Sequence, residues 1–198
     1  MPLELLNTFG TLATVAIVAA TAFAALIQLR HLRAGNQINA MISIGDKFQS
    51  TEFARALETV GTDLDAALDD QAFRDYLMAL SRRSQTGDVP ARYKEARHAA
   101  LLVGNTYEEL GILIKNGIVD RDLFLDRYCA VAIGAWKRLE SYLAFTREVQ
   151  DDQAVWENFE MIVALSERWV REHPSTYPPK LDRLRIVNPW PITSPAHS

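Results

Sequence analysis

Apolar residues recur along this chain at steps of three and four, and no alternating apolar–polar run of strand type occurs. The pattern predicts an all-α chain. After a long apolar N-terminal segment and a turn at Gly35-Asn36, a helix is expected over 37–49. Ser50 is placed to cap a next helix, "TEFARALETV", that stops at Gly61. Thr62 is placed to cap the short acidic piece "DLDAALDD", which leads into "QAFRDYLMALSRR". "SQTGDVP" reads as a loop, with Asp88 as N-cap and Pro90 near the first turn of the next helix. Three long amphipathic helices come next. The first spans about 90–116, with the stripe Tyr93, Ala96, Ala100, Val103, Tyr107, Leu110 and Ile114. The second spans about 121–147, with Leu125, Tyr128, Ala132, Trp136, Leu139 and Leu143 on one face. The third spans about 153–172, with Val155, Phe159, Ile162, Ser166 and Trp169, and Pro174 ends it. Their stripes can bury one another as an antiparallel bundle.

The N-terminus breaks this amphipathic pattern. No charged residue stands between Leu5 and Leu29. A helix of that length is about 37 Å long, against about 30 Å of hydrocarbon in a bilayer. Nine Leu, Ile, Val and Phe between Phe9 and Leu29 contribute a few kcal/mol to insertion. A cleaved signal peptide would want a basic leader, and "MPLELLN" carries only Glu4. A buried core helix is usually shorter. A transmembrane anchor is therefore expected over 1–34, with a helical domain over 35–173 and a Pro-rich, extended or disordered tail over 174–198. A secreted protein is the remaining rival. Arg30, His31 and Arg33 come directly after the apolar run, so the positive-inside rule puts the N-terminus outside and the bulk of the chain in the cytoplasm. Ala16, Ala20 and Ala24 form a small-residue face that allows a homo-oligomer through the membrane helix. In the tail, "KLDRLRIVNPW" is basic and apolar; docking on the domain or the membrane and a loose tail both stay open.

Charge and composition remove several function classes. The chain has 198 residues and a net charge of −4, with no basic stripe of the kind that nucleic-acid binding needs. Cys129 is the sole cysteine, and the four histidines lie far apart, so no cofactor or metal is expected from ligand spacing. An EF-hand loop beginning at Asp63 would need Gly at position six and Glu at position twelve, and Leu68 and Arg74 stand there. Asp120, Asp122 and Asp126 read as capping residues rather than a metal set.

One stretch, "NTYEELGILIKNGIVDRDLF", resists this sorting. Gly117 fits a helix-ending left-handed position, and Asp120 fits the next N-cap. Glu109 points away from the apolar stripe. Glu108 lies beside Asn105 on a second, partly apolar face and needs a partner, with Arg127, Lys137 and Arg138 as candidates. Asn105, Glu108 and Trp136 are the candidate site: a structural cluster or a ligand-binding one. No residue is assigned a catalytic role. The run Asn105-x-x-Glu108-x-x-Gly111, the turn Gly117-Ile118-Val119-Asp120 and the downstream Trp136 resemble a bacterial family known as domain of unknown function 4760. "RHLRAGNQINAMISIGDKFQSTEFARAL" fits the early region of that family. The resemblance spans most of the chain up to about Pro174. It implies an N-terminal membrane helix followed by a helical domain, and no reaction. Two functional readings are open. One is a membrane-anchored, non-enzymatic interaction or signalling module with a protein partner. The other is a small-ligand sensor or enzyme centred on Glu108 and Asn105.

Overall fold

In the computed structural model, residues 3–84, 89–175, 177–178, 180–187 and 190 are described. Seven helices and no strand occur among them. They are α1 (Leu3–Gln49), α2 (Thr51–Thr62), α3 (Leu64–Asp69), α4 (Gln71–Ser81), α5 (Ala91–Lys115), α6 (Arg121–Gln150) and α7 (Glu157–Glu172). Asp88, expected as an N-cap, lies outside the described residues, as does the end of the tail after Trp190.

The expected turn at Gly35-Asn36 does not exist. α1 runs through it as one helix of 47 residues, about 70 Å long. A lone glycine in a helix costs only about 1 kcal/mol against alanine, and helix-compatible neighbours on both sides override it. Residues 8–34 are exposed along their whole length. The last turns behave differently. Ala40, Met41, Ile44 and Phe48 pack against the core, and Gly45 is buried against Tyr128. The Phe48 ring lies 5.1 Å from that of Phe53, 5.3 Å from Tyr107 and 5.0 Å from Tyr128. One rigid element thus joins the apolar segment to the aromatic centre of the domain.

α5 is the central helix, packed on α2, α6 and α7. Every residue of its expected stripe, from Tyr93 to Ile114, is buried. The α6 stripe is buried too, except that Trp136 is only half-buried. The turn between α5 and α6 closes as a Schellman motif: Ile118 N donates to Leu113 O, and Gly117 N to Ile114 O. Gly117 has φ +68°, a conformation that side-chain-bearing residues rarely adopt. Asp120 Oδ1 then accepts from Leu123 N at 2.8 Å, capping α6 as expected. This short connection makes α5 and α6 antiparallel.

Ser50 caps α2 by accepting from Phe53 N. Thr62 does not cap α3. Its hydroxyl donates back to Glu58 O within α2, which extends one residue past Gly61, and Asp63 takes the N-cap position without a side-chain bond. The acidic run is used one helix later, where Asp70 accepts from Ala72 N and caps α4. Asp70 also accepts from the Tyr93 hydroxyl and pairs with Arg92. The Tyr93 hydrogen bond, then that from Ala72, holds the Asp70 carboxyl below the usual carboxylate range. A depressed folded-state value means stability that is present above the unfolded value of about 3.9 and lost as pH falls through the folded one. Tyr93→Phe is therefore expected to lower the melting temperature at neutral pH, and the gap to wild type should close as pH drops below about 4. A gap independent of pH would mean that Tyr93 acts through packing alone.

Candidate functional site

The three candidate residues meet at the start of α7. Its first residues, "WENFE", offer no capping side chain of their own: Trp156 sits at the N-cap position with φ 55° and ψ 36°. A helix start leaves backbone N–H groups without partners, and burying them unsatisfied is costly. Here α5 supplies the acceptor. Glu108 Oε2 accepts from Asn158 N and Phe159 N, both at 3.0 Å, and Oε1 accepts from Asn158 Nδ2 at 2.6 Å. A carboxylate at a helix N-terminus also meets the positive end of the helix dipole. Glu108 is thus an N-cap delivered from fifty residues upstream.

One turn earlier, Asn105 Oδ1 accepts from Trp156 Nε1 at 2.9 Å. That bond orients the indole, which is otherwise buried and stacked near Tyr142. No hydrogen bond joins Trp136 to the polar pair. It meets Phe159 edge-on, with ring centroids 5.2 Å apart, while Phe159 stacks on Tyr107 at 4.6 Å. Trp136 therefore supports the same helix start from the apolar side.

The expected partners of Glu108 are not its partners. Arg127 lies over the Tyr128 ring, Arg138 reaches the Leu57 carbonyl at 3.4 Å, and the carboxylate takes N–H donors of α7 instead. The physical reason is economy of desolvation: backbone N–H groups need an acceptor when buried, and an exposed cation on α6 does not. Glu109 stays in water, as expected, and pairs with Lys47 of α1 at 3.2 Å.

Three further residues complete the site; sequence reasoning points to Gly111 as a place of close helix contact and gives no role to Gly104 or Arg147. Gly104 and Gly111 flank the polar pair on α5. A Cβ at Gly104 would fall 2.1 Å from the Trp156 ring, and one at Gly111 would fall 2.4 Å from the Asn158 carbonyl oxygen. The third is Arg147 of α6. Its Nε and Nη2 donate to Val155 O at 3.0 and 2.9 Å, and Nη2 also pairs with Glu160 at 2.7 Å. Its side chain is only 15% exposed, so this ion pair is not a loose surface contact. Arg147 holds the connection that α7 starts from. The expected start of α7 near Gln153 moves to Glu157 for this reason: Asp152 turns back on Ala154 N, and the chain enters the helix only after Trp156 is locked.

A cleft of about 260 Å³ opens beside Asn105 and Trp156, bordered also by Arg97 and Tyr142; Glu108 is not among the residues that line it. Both carboxylate oxygens of Glu108 are engaged by α7. No group of three or more His, Cys, Asp and Glu side chains is placed to hold a metal ion among the described residues. The arrangement performs helix docking: two glycines admit α7, two polar side chains of α5 satisfy its start, and Arg147 fixes its approach.

No curated protein and no solved structure matches the chain. A family match covers residues 15–169, a span that takes in the later part of the apolar segment of α1, the α5–α6 hairpin and most of α7. With most of its length inside that match, the chain belongs to the family described as Domain of unknown function (DUF4760).

Proposed function

We propose that this protein is a membrane-anchored, non-enzymatic helical module that binds a protein partner at the cytoplasmic face, with its N-terminus outside. The continuity of α1 carries this reading. The helix from Thr8 onward contains an apolar window, the helix is long enough to cross a membrane, and none of that window is buried in the protein. The same helix ends with Phe48 in the aromatic centre of the domain. A helix without a break transmits a shift, tilt or rotation between its two ends, which suits a module that relays or responds to membrane events. Arg30, His31 and Arg33 at the end of the apolar run support the cytoplasmic placement of the domain. The alanine face of α1 would serve self-association. A ligand sensor or enzyme centred on Glu108 would need that carboxylate free, and α7 occupies it.

The full chain is expected to stay with membranes through alkaline carbonate washing, to report a cytoplasmic C-terminus in reporter fusions at each end, and to crosslink to a defined protein. Release by carbonate would remove the anchor. Turnover of a substrate that Glu108→Gln abolishes without loss of fold would replace the interaction module with an enzyme.

A further inference from the structure

We propose that the cleft between α1 and the α5–α6 turn holds the headgroup of an anionic phospholipid. The cleft, of about 730 Å³, is lined from α1 by Leu26, Leu29, Arg30 and Arg33, and from the turn by Asn116 and Ile118 among others. This inference rests on the membrane placement of α1. If the hydrocarbon core ends near Leu29, Arg30 and Arg33 stand at the depth of the lipid phosphates, and the turn that shares their cleft stands there too.

The chemistry of the walls favours an anion with an apolar appendage. The two arginines lie three positions apart on one helix, and no acidic residue lines the cleft. Neither arginine has an acidic partner among the described residues. The end of a helix usually repels anions through its free carbonyls. At the end of α5 those of Ile112, Leu113 and Ile114 are already bonded within the turn. Leu26, Leu29 and Ile118 are each at least half exposed, so the apolar wall continues from the spanning segment to the arginines. A free phosphate would use only the arginines; a phospholipid uses both walls. The arginines also suit a headgroup whose only charge is its phosphodiester better than a zwitterionic one, which carries the same phosphodiester but adds a choline that would meet like charge.

The test uses the full chain. Membranes carrying it are first washed with carbonate. The retained protein is then purified in mild detergent, and lipid adducts are measured by native mass spectrometry with phosphatidylglycerol or phosphatidylcholine. Phosphatidylglycerol is expected to be retained about tenfold better or more, because each basic residue at an anionic surface contributes roughly a fivefold preference. The double variant Arg30→Gln with Arg33→Gln should lose that preference. Ile118→Asp should reduce it as well, which keeps the test decisive if the double variant loses helical circular dichroism. Equal retention of the two lipids, a preference unchanged in a folded variant, or complete displacement by inorganic phosphate would each overturn the lipid site while leaving the anchor standing. Release of the chain at the carbonate step would instead remove the anchor, and the lipid site with it.

Discussion

Gly104→Ala is expected to destabilise the fold by about 3 kcal/mol or more, a drop in melting temperature on the order of 10 °C for a chain of this size. The added Cβ would meet three ring carbons of Trp156 between 2.1 and 2.4 Å away, and real Cβ atoms do not approach so closely. Yielding would break the contacts that hold the ring. It is 6% exposed, its Nε1 donates to Asn105, and Tyr142 stacks against it. Displacing it forfeits the hydrogen bond and the burial of the largest side chain at the α7 entrance. Gly111→Ala should cost a similar amount, because its Cβ would strike the Asn158 backbone, which a rotamer change cannot move. Gly134 supplies the control. It sits within α6 with nothing inside 4 Å of its Cβ position, so Gly134→Ala should be neutral or stabilising by up to about 1 kcal/mol. Thermal melts of the three variants in one detergent separate these cases. If Gly104→Ala melts with Gly134→Ala, the close approach of α7 to α5 is wrong.

The pattern that makes α5 legible is local: a stripe at helical spacing, a left-handed glycine after it and an aspartate to start the next helix. Each of these signals sits within a few residues of what it determines, and Gly117 and Asp120 do what their positions promise. The Gly35-Asn36 turn fails as a local signal because a breaker is only a preference, and a long helix absorbs it. The start of α7 is misplaced for a different reason. Its cap is not in its own sequence, so no window around Trp156 contains the acceptor. One cue is present on α5. Gly104, Asn105, Glu108 and Gly111 share a face, small residues bracketing polar ones, which is what a helix needs to receive another backbone and satisfy it. Trp136, grouped with Asn105 and Glu108 on sequence grounds, meets Phe159 of the helix that Glu108 caps. The cluster is therefore a docking seam within the fold, joining α7 to α5.

Glu108→Ala is expected to cost about 2–3 kcal/mol, because it leaves the N–H groups of Asn158 and Phe159 without their acceptor at a partly buried helix start. Glu108→Gln should cost less, roughly 1 kcal/mol, since one carbonyl oxygen remains to accept while the amide nitrogen faces donors. The loss should not stay local. Phe159 and Ile162, just inside α7, are fully buried in the shared core, and Phe159 stacks on Tyr107, which itself contacts Phe48 of α1. Fraying the start of α7 therefore loosens the aromatic centre that receives the membrane helix. Hydrogen exchange should show the Asn158 and Phe159 amides opening first, and then faster exchange in the last turns of α1. Unchanged protection of both amides in Glu108→Ala would remove the capping role. A Glu108→Gln protein that melts like wild type yet loses partner binding or turnover would move the carboxylate from the fold to the function. Partial loss in Gln and full loss in Ala, with binding in proportion to folded protein, would leave it as the joint on which α7 is hung.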